Sequence, residues 1–527
     1  MDGGPLPQHI KALLLLSTSY PHPVERVELI QTHISYVLLA GEYVYKVKKP
    51  VDMGFLDYTT LEKRKFCCEE EVRLNRRLCP DAYIGVVAVT VKDGTVSLDG
   101  AGEVVDYAVK MKRLPQERMM ERLLDQGAIA GEMLERLTAK LAAFHAEAET
   151  GEHIQSFGSV EAVAANWREN FDQTEPYVGS TISRDQVENI RGYVDRFLSE
   201  ETWLLDNRVR DGRIRDCHGD LRSNAVCFED GICVFDCIEF NERFRYADTA
   251  SDLAFLAMDV DLRGYPALSD EIVGLYLAQS LDTTLPLVLA FYKCYRAFVR
   301  GKVDGFQLDQ PEIPAKQKAA TAEGARRYFA LAGKYASHAT PAVLVAMVGV
   351  TGSGKSYLAH ALASRLGAVV ISSDVTRKKL ADLDPMRQQP EPIDSGIYSS
   401  EMTELTYAEM LLQAMPFLSR GKPVILDASY LSRQARERAR EFAERAGVRF
   451  LAVECVVDEA LVRERLQRRR SAMWSPSDGR WEIYRAQLKR AEPVSEMPEE
   501  SRLKLDGALP LAEQLDRVEA FVQRATG

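Results

Sequence analysis

The sequence predicts a two-domain protein, a mixed α+β part followed by a parallel α/β part, divided near residue 338 into 1–338 and 339–527. Three observations lead there. A chain of 527 residues exceeds what one hydrophobic core supports. In the C-terminal third, short apolar runs alternate with stretches of helical periodicity, the pattern of a parallel sheet covered by helices. Just before the first of those runs, Ser337-His338-Ala339-Thr340-Pro341 breaks a long helical pattern.

Composition sets the outer bounds. Hydrophobic residues make up 46% and charged residues 28% of the chain, and the formal net charge of -11 argues against a general nucleic-acid or membrane-surface binder. The Arg-rich stretch from Arg463 to Arg470 is a local exception and is first the solvated face of a helix. Nine cysteines with no Cys-x-x-Cys do not suggest a disulfide framework and fit a reducing cytoplasm. Cys217, Cys227, Cys233 and Cys237 match no zinc spacing and are expected as buried thiols. Ala12-Leu13-Leu14-Leu15-Leu16 is too short to cross a bilayer, and neither a membrane helix nor a signal peptide is expected.

In the N-terminal part, alternation over 34–47 predicts strands, and a helix is expected over about 59–78, capped by Thr59 with Glu62. Strands return over 84–91 and 104–111. The pattern over 117–335 is mostly helical, interrupted by a strand-rich stretch at 209–240 and ending in a helix over about 315–335. Within the interruption, Cys217-His218-Gly219-Asp220-Leu221-Arg222-Ser223-Asn224 and Val234-Phe235-Asp236-Cys237-Ile238-Glu239-Phe240 put two carboxylates at the two ends of a hairpin, where they can face one site. Phosphoryl transfer needs one carboxylate to orient or deprotonate the attacking hydroxyl and another to hold Mg²⁺, and Asp220 and Asp236 suit those roles.

In the C-terminal part, the strand Val343-Leu344-Val345-Ala346-Met347-Val348 runs into Gly349-Val350-Thr351-Gly352-Ser353-Gly354-Lys355-Ser356, with Leu358, Leu362 and Leu366 following at helical spacing. This is a phosphate-binding loop. Its glycines let backbone N–H groups turn inward around phosphate oxygens, Lys355 reaches the terminal phosphates, and the Ser356 hydroxyl can ligate Mg²⁺. A second buried strand ends in Asp374, with Arg377 one helical turn on; Asp374 can orient or deprotonate an acceptor hydroxyl while Arg377 binds an anionic group or developing charge. Pro423-Val424-Ile425-Leu426-Asp427 has the Walker-B form, an apolar run ending in a carboxylate that supports the metal. A fourth strand over 450–457 leads into the Arg-rich helix.

The His-Gly-Asp loop and the Asp236 segment resemble the aminoglycoside phosphotransferase family, whose fold is that of protein kinases, over roughly residues 25–335. By that resemblance Asp220 is the catalytic base, Asp236 the principal Mg²⁺ ligand and Asp252 a brace for the loop, while Lys46, on Tyr43-Val44-Tyr45-Lys46-Val47-Lys48, pairs with Glu71 at the nucleotide. Kinase-like loops carry a metal-binding Asn five residues after the catalytic Asp, and here that position is Ala225. Either Asn224 serves through a shifted loop, or Glu239 supplies the oxygen, or the lobe binds a ligand without catalysing.

The phosphate-binding loop, Ser-Asp-x-x-Arg, Leu-Asp-Ala-Ser, the Arg-rich helix and the segment from Gln487 to Pro493 together resemble P-loop kinases grouped with polynucleotide 5′-kinases, zeta toxins and gluconate kinase, over roughly residues 342–527. The resemblance implies a P-loop NTPase fold and a lid whose arginines, Arg465 and Arg469, close over the phosphates, with Trp474-Ser475-Pro476-Ser477-Asp478-Gly479 lengthening it. As a whole the chain resembles bacterial fusions of an aminoglycoside phosphotransferase-like domain with a P-loop kinase. That implies γ-phosphoryl transfer from ATP, with GTP as the alternative nucleotide, in the presence of Mg²⁺, to a hydroxyl of a small-molecule acceptor. The alternatives are an N-terminal ligand sensor that regulates the kinase, and a C-terminal polynucleotide 5′-hydroxyl kinase.

Overall fold

In the computed structural model, residues 8–229, 231–310, 313–337, 339–387, 395–471 and 479–526 are described. The chain packs as two compact units, one of residues 1–159 with 209–252 and the other of 160–208 with 253–527. This grouping by packing sets 160–208 and 253–337 with the C-terminal part, because the helix over 266–280 lies on the helices over 355–366 and 511–526. Among the described residues no helix is long and apolar enough to cross a membrane.

The first unit opens with helix α1 (Gln8–Leu14) and strands β1 (Val27–Gln31), β2 (Ser35–Ala40) and β3 (Tyr43–Lys48), followed by helix α2 (Leu61–Asn75) and strands β4 (Tyr83–Lys92), β5 (Thr95–Leu98) and β6 (Glu103–Lys112). The strands form one antiparallel sheet in the order β1-β2-β3-β6-β4-β5. On β3, Val44, Tyr45 and Val47 are buried, and Lys46 sits in register with Val37 of β2 and Val109 of β6. Thr60, not Thr59, caps α2, accepting from the Lys63 amide at 3.3 Å; the Thr59 hydroxyl turns to Asp57 at 2.6 Å.

Helices α3 (Met120–Asp125), α4 (Gly131–Glu147) and α5 (Glu152–Ser156) follow. The expected strand-rich stretch at 209–240 is mostly loop, with three very short strands, β7 (Ile214–Asp216), β8 (Val226–Cys227) and β9 (Cys233–Val234), completed by β10 (Tyr246–Asp248) beside β7. The β8–β9 hairpin does separate Asp220 from Asp236. One expectation for the cysteines fails: Cys233 is joined to Cys79 in a disulfide, whereas Cys217, Cys227 and Cys237 are buried free thiols. Long-range pairing of this kind leaves no spacing signal, since the partners lie 154 residues apart.

In the second unit, α6 (Val160–Thr174), α7 (Arg184–Glu200), α8 (Thr202–Arg210), α9 (Thr249–Leu262), α10 (Pro266–Ser280), α11 (Leu285–Leu308) and α12 (Ala315–Ala336) build a helical layer; the ends of α8 and α9 reach across the division of the chain. The sheet strands β11 (Val343–Val348), β12 (Val369–Ser372), β13 (Val424–Asp427), β14 (Arg449–Val456) and β15 (Arg502–Asp506) are all parallel, in the order β12-β13-β11-β14-β15. Between and after them come α13 (Lys355–Leu366), α14 (Ser373–Leu380), α15 (Ser400–Leu418), α16 (Arg433–Arg445), α17 (Glu459–Ser471), α18 (Trp481–Arg490) and α19 (Leu511–Thr526). All six residues of β11 are buried, as expected of a central parallel strand covered on both faces.

Helix α10 lies against α13, the helix that follows the phosphate-binding loop. Gly274 makes the approach close: a Cβ there would stand 2.7 Å from the backbone nitrogen of Ala361. Around that contact Asp270 accepts from Ser364 Oγ and Arg365 Nε, both at 2.9 Å, and Tyr357 donates to Glu271 at 2.6 Å. Arg365 continues to Asp516 of α19 at 2.6 Å. The Gly274→Ala substitution tests this contact. On an exposed helix that change stabilises by about 1 kcal/mol; here the added methyl meets backbone, and overpacking is expected to cost about 1–3 kcal/mol and lower the thermal midpoint. An unchanged or raised midpoint would contradict the packing described.

Candidate active sites

In the second unit, the loop between β11 and α13 is shaped by residues with left-handed backbone. Gly349 and Gly352 have φ of 142° and 81°. A Cβ at Gly349 would fall 2.7 Å from the Cys455 carbonyl oxygen, and one at Gly352 would fall 2.8 Å from the Val462 side chain. The turn therefore fits between β14 and α17 only without side chains at those positions. Lys355 folds back to donate to the Val350 carbonyl at 2.8 Å, and the Thr351 amide donates to Gln487 Oε1 at 2.6 Å. Ser353 is buried, and its hydroxyl has no hydrogen-bond partner among the described residues.

At the mouth of this loop Ser356 Oγ donates to Asp427 Oδ1 at 3.1 Å, joining the loop helix to the end of β13. A hydroxyl and a carboxylate so placed are the oxygen pair that a hard divalent cation takes beside nucleotide phosphates. Lys355, Ser356, Asp374, Arg377 and Asp427 all line one cavity of about 140 Å³. Ser372, not Asp374, caps α14, so the Asp374 carboxylate is not consumed as a cap. Arg377 is buried, its Nη1 donating to the Ile397 carbonyl at 2.9 Å and to Thr403 Oγ1 at 3.1 Å, with the guanidinium 5.1 Å from the Tyr398 ring centre.

Arg465 donates to the Ser353 carbonyl at 3.2 Å and to the Gly507 carbonyl at 2.7 Å, which makes it a brace for the loop backbone. Arg469 lies on α17, and its side chain is outside the described part, as are residues 474–478 of the expected lid extension. Gln487 was noted only as part of the closing segment; its hydrogen bond to the loop amide had no signal in sequence spacing.

In the first unit, Lys46 Nζ stands between Glu71 Oε1 at 2.9 Å and Asp236 Oδ1 at 2.7 Å. Burial pulls the Lys46 pKa down, and Asp236, Glu71 and Glu239 outweigh it, holding the ammonium well above its ordinary value. Lys46 in turn holds the exposed Asp236 carboxylate below the usual carboxylate range. Lys48 lies two residues further along the same strand. It is fully buried and ion-paired with Glu71 Oε2 at 2.8 Å and with Glu239, whose carboxylate also accepts from Tyr58 at 2.6 Å. Glu239 thereby joins Lys48 and Tyr58. Asn224 is exposed on a short 3₁₀ turn, and Ala225 beside it is buried.

Asp252 carries the His-Gly-Asp loop. Its Oδ1 accepts from the Gly219 amide at 2.9 Å, and its Oδ2 accepts from the His218 amide at 3.0 Å and lies 3.1 Å from His145 Nε2. His145, Cys217 and Asp252 have metal-ligand chemistry and lie together, yet these amides already occupy the carboxylate. Asp220 forms a bidentate ion pair with Arg222, at 2.9 and 2.8 Å, which the adjacent spacing of the two residues gave no reason to expect.

Residues 68–290 match the phosphotransferase enzyme family (APH), and residues 344–494 match an AAA domain family (AAA_33). The uncharacterized proteins Rv2004c of Mycobacterium tuberculosis and Mb2027c of Mycobacterium bovis are each 34% identical to this chain over 427 residues, which is 80% of this chain and 82% of theirs. Among solved structures, a gluconokinase from Sinorhizobium meliloti is 25% identical over 36% of this chain and 94% of its own, with a TM-score of 0.25. The GDP complex of aminoglycoside 2′-phosphotransferase-IIIa is 13% identical over 61% of this chain and 98% of its own, with a TM-score of 0.37. The chain is an ATP-dependent kinase with an aminoglycoside phosphotransferase-like domain and a P-loop kinase domain, and it belongs to the family of these mycobacterial proteins.

Proposed function

We propose that the P-loop unit transfers the γ-phosphoryl group of ATP to a hydroxyl of a small-molecule acceptor, and that the kinase-like unit is a second site of the same reaction class. The observation that carries the first reading is the gathering of Lys355, Ser356, Asp374 and Asp427 around one cavity that shares Arg377, Tyr398, Tyr407, Ser429, Ile483 and Gln487 with a neighbouring cavity of about 580 Å³. The smaller space suits phosphates, and the larger is of the size that takes a small ligand.

In this reading Lys355 leaves the Val350 carbonyl to meet the β- and γ-phosphates, and the loop amides surround them. Ser356 and Asp427 would hold Mg²⁺, which supplies neutralisation of the transferring charge. Asp374 accepts the proton of the acceptor hydroxyl. The acceptor oxygen then bonds to the γ-phosphorus as the bond to the β–γ bridging oxygen breaks, and ADP leaves with that electron pair. GTP remains the alternative nucleotide.

For the kinase-like unit, the contact of Lys46 with both Glu71 and Asp236 supports nucleotide binding, with Asp220 as the base once Arg222 is drawn away. The ligand-sensor alternative is favoured by that same Asp220–Arg222 pair together with Ala225 in place of the metal-site Asn.

Three outcomes test these roles on the full chain with labelled ATP and a small-molecule cell extract. Lys355→Ala lowers formation of the P-loop product by about 10²–10³-fold, the range for loss of one group that stabilises transition-state charge; undiminished transfer would remove the reading. Asp427→Asn raises the Mg²⁺ concentration at half-maximal ADP formation, and an unchanged Mg²⁺ dependence argues that Asp427 is not at the metal. Asp220→Asn abolishes a second labelled product without touching the first. A single product indifferent to Asp220→Asn makes the kinase-like unit a sensor.

A further inference from the structure

The cavity of about 580 Å³ next to the phosphate-binding loop has walls of a particular kind. Tyr398, Tyr407, Leu411, Tyr430, Leu431 and Ile483 give it flat and apolar surface. The rings of Tyr407 and Tyr430 stack at 4.8 Å between centres with 24° between planes. Tyr430 is held with φ of 41°, an uncommon conformation for a residue with a side chain, and its buried hydroxyl has no partner among the described residues. In a chain of net charge -11, Arg377, Arg438, Arg445 and Arg490 outnumber Glu404 and Glu441 around this space.

Arg377 is the decisive residue. It is 6% exposed, yet no carboxylate pairs with it among the described residues. Its Nη1 is spent on the Ile397 carbonyl and Thr403, which fixes the plane of the guanidinium, while the buried Nε and the adjacent Nη2 have no acceptor there. Those two donors form the edge that takes a carboxylate or phosphate in a bidentate manner. A buried guanidinium without a counter-ion is costly, and a group of this kind at the wall of a cavity calls for an anion brought by the ligand.

We propose that the acceptor of the P-loop unit is a hydroxyl compound with a planar or apolar body and an anionic group, the anion being held by the guanidinium of Arg377. This rests on the reading of that unit as a kinase, and it assigns Arg377 to the acceptor's anion, not to charge developing on the transferred phosphoryl. The flat walls and the volume set this acceptor apart from a simple polyhydroxy acid, which would use the arginines and leave the aromatic surface uncovered.

The test measures binding to the full chain saturated with Mg²⁺ and a non-hydrolysable ATP analogue, whose own titration reports separately on the nucleotide reading. Three probes are compared: 6-(hydroxymethyl)-2-naphthoate, 2-naphthylmethanol, which lacks only the carboxylate, and gluconate, which lacks the planar body. The naphthoate is expected to bind about tenfold or more tightly than either of the others, the effect of a charged hydrogen-bonded contact. In Arg377→Lys, checked for an unaltered thermal midpoint, its advantage over the alcohol should shrink to about twofold or less. Leu411→Ala, which trims the apolar wall, serves as the second variant and should weaken both naphthyl compounds alike. Equal binding of naphthoate and naphthylmethanol by the natural chain overturns the proposal even if Arg377→Lys does not fold. So does tighter binding of gluconate, an undiminished carboxylate advantage in a folded Arg377→Lys, or absence of naphthoate binding while the ATP analogue binds.

Discussion

The tight fit of the loop after β11 is the constraint on which the P-loop unit depends. Gly349 lies against the Cys455 carbonyl and Gly352 against Val462, so β14 and α17 leave room for backbone and nothing more. A turn pressed that closely aims successive amides inward and starts α13 at Lys355 and Ser356, and the parallel register of β11 with β13 then sets Asp427 within 3.1 Å of the Ser356 hydroxyl. Arg465 and Gln487 hold the same loop from outside, through its Ser353 carbonyl and its Thr351 amide. The anion site is thus a property of packing, and a side chain added anywhere along that contact would open it.

Charge plays the corresponding part in the kinase-like unit. Glu71 is fully buried and is tolerated because Lys46 and Lys48 each pair with one of its oxygens. Lys48 in turn requires Glu239, and Glu239 requires Tyr58, so a closed set of buried partners fixes the height of Lys46 on β3 opposite Asp236. Asp252 performs the same service for the His-Gly-Asp loop by accepting two successive amides.

Local chemistry was legible in the sequence, and long-range pairing was not. The phosphate-binding loop, Asp374 and Asp427 declared themselves because each follows directly on an apolar strand, and Glu71 because Cys67, Cys68, Leu74 and Leu78 surround it at helical spacing and turn it inward. The partnership of Lys48 with Glu239 spans 191 residues and the Cys79–Cys233 disulfide spans 154, so neither leaves a periodic trace. Strand β1 leaves no buried alternation in the sequence because it is an edge strand with no buried residue at all, and β5, which does alternate, is only four residues long. The packing of α10 on α13 was hidden for another reason: its key residue, Gly274, reads in sequence only as a weak spot in a helix, whereas in the fold it permits backbone contact. That contact also means that residues 339–527 taken alone would lose a buried face of the phosphate-binding helix, so the intact chain is the proper object for assay.

Phosphorus NMR of the full chain with Mg²⁺, ATP and a small-molecule cell extract tests the central claim most directly, because it follows the γ-phosphorus itself. The account predicts that a phosphomonoester resonance grows as ADP appears, in equal amount. Release of the γ-phosphorus solely as inorganic phosphate, or consumption of no ATP at all, would contradict it.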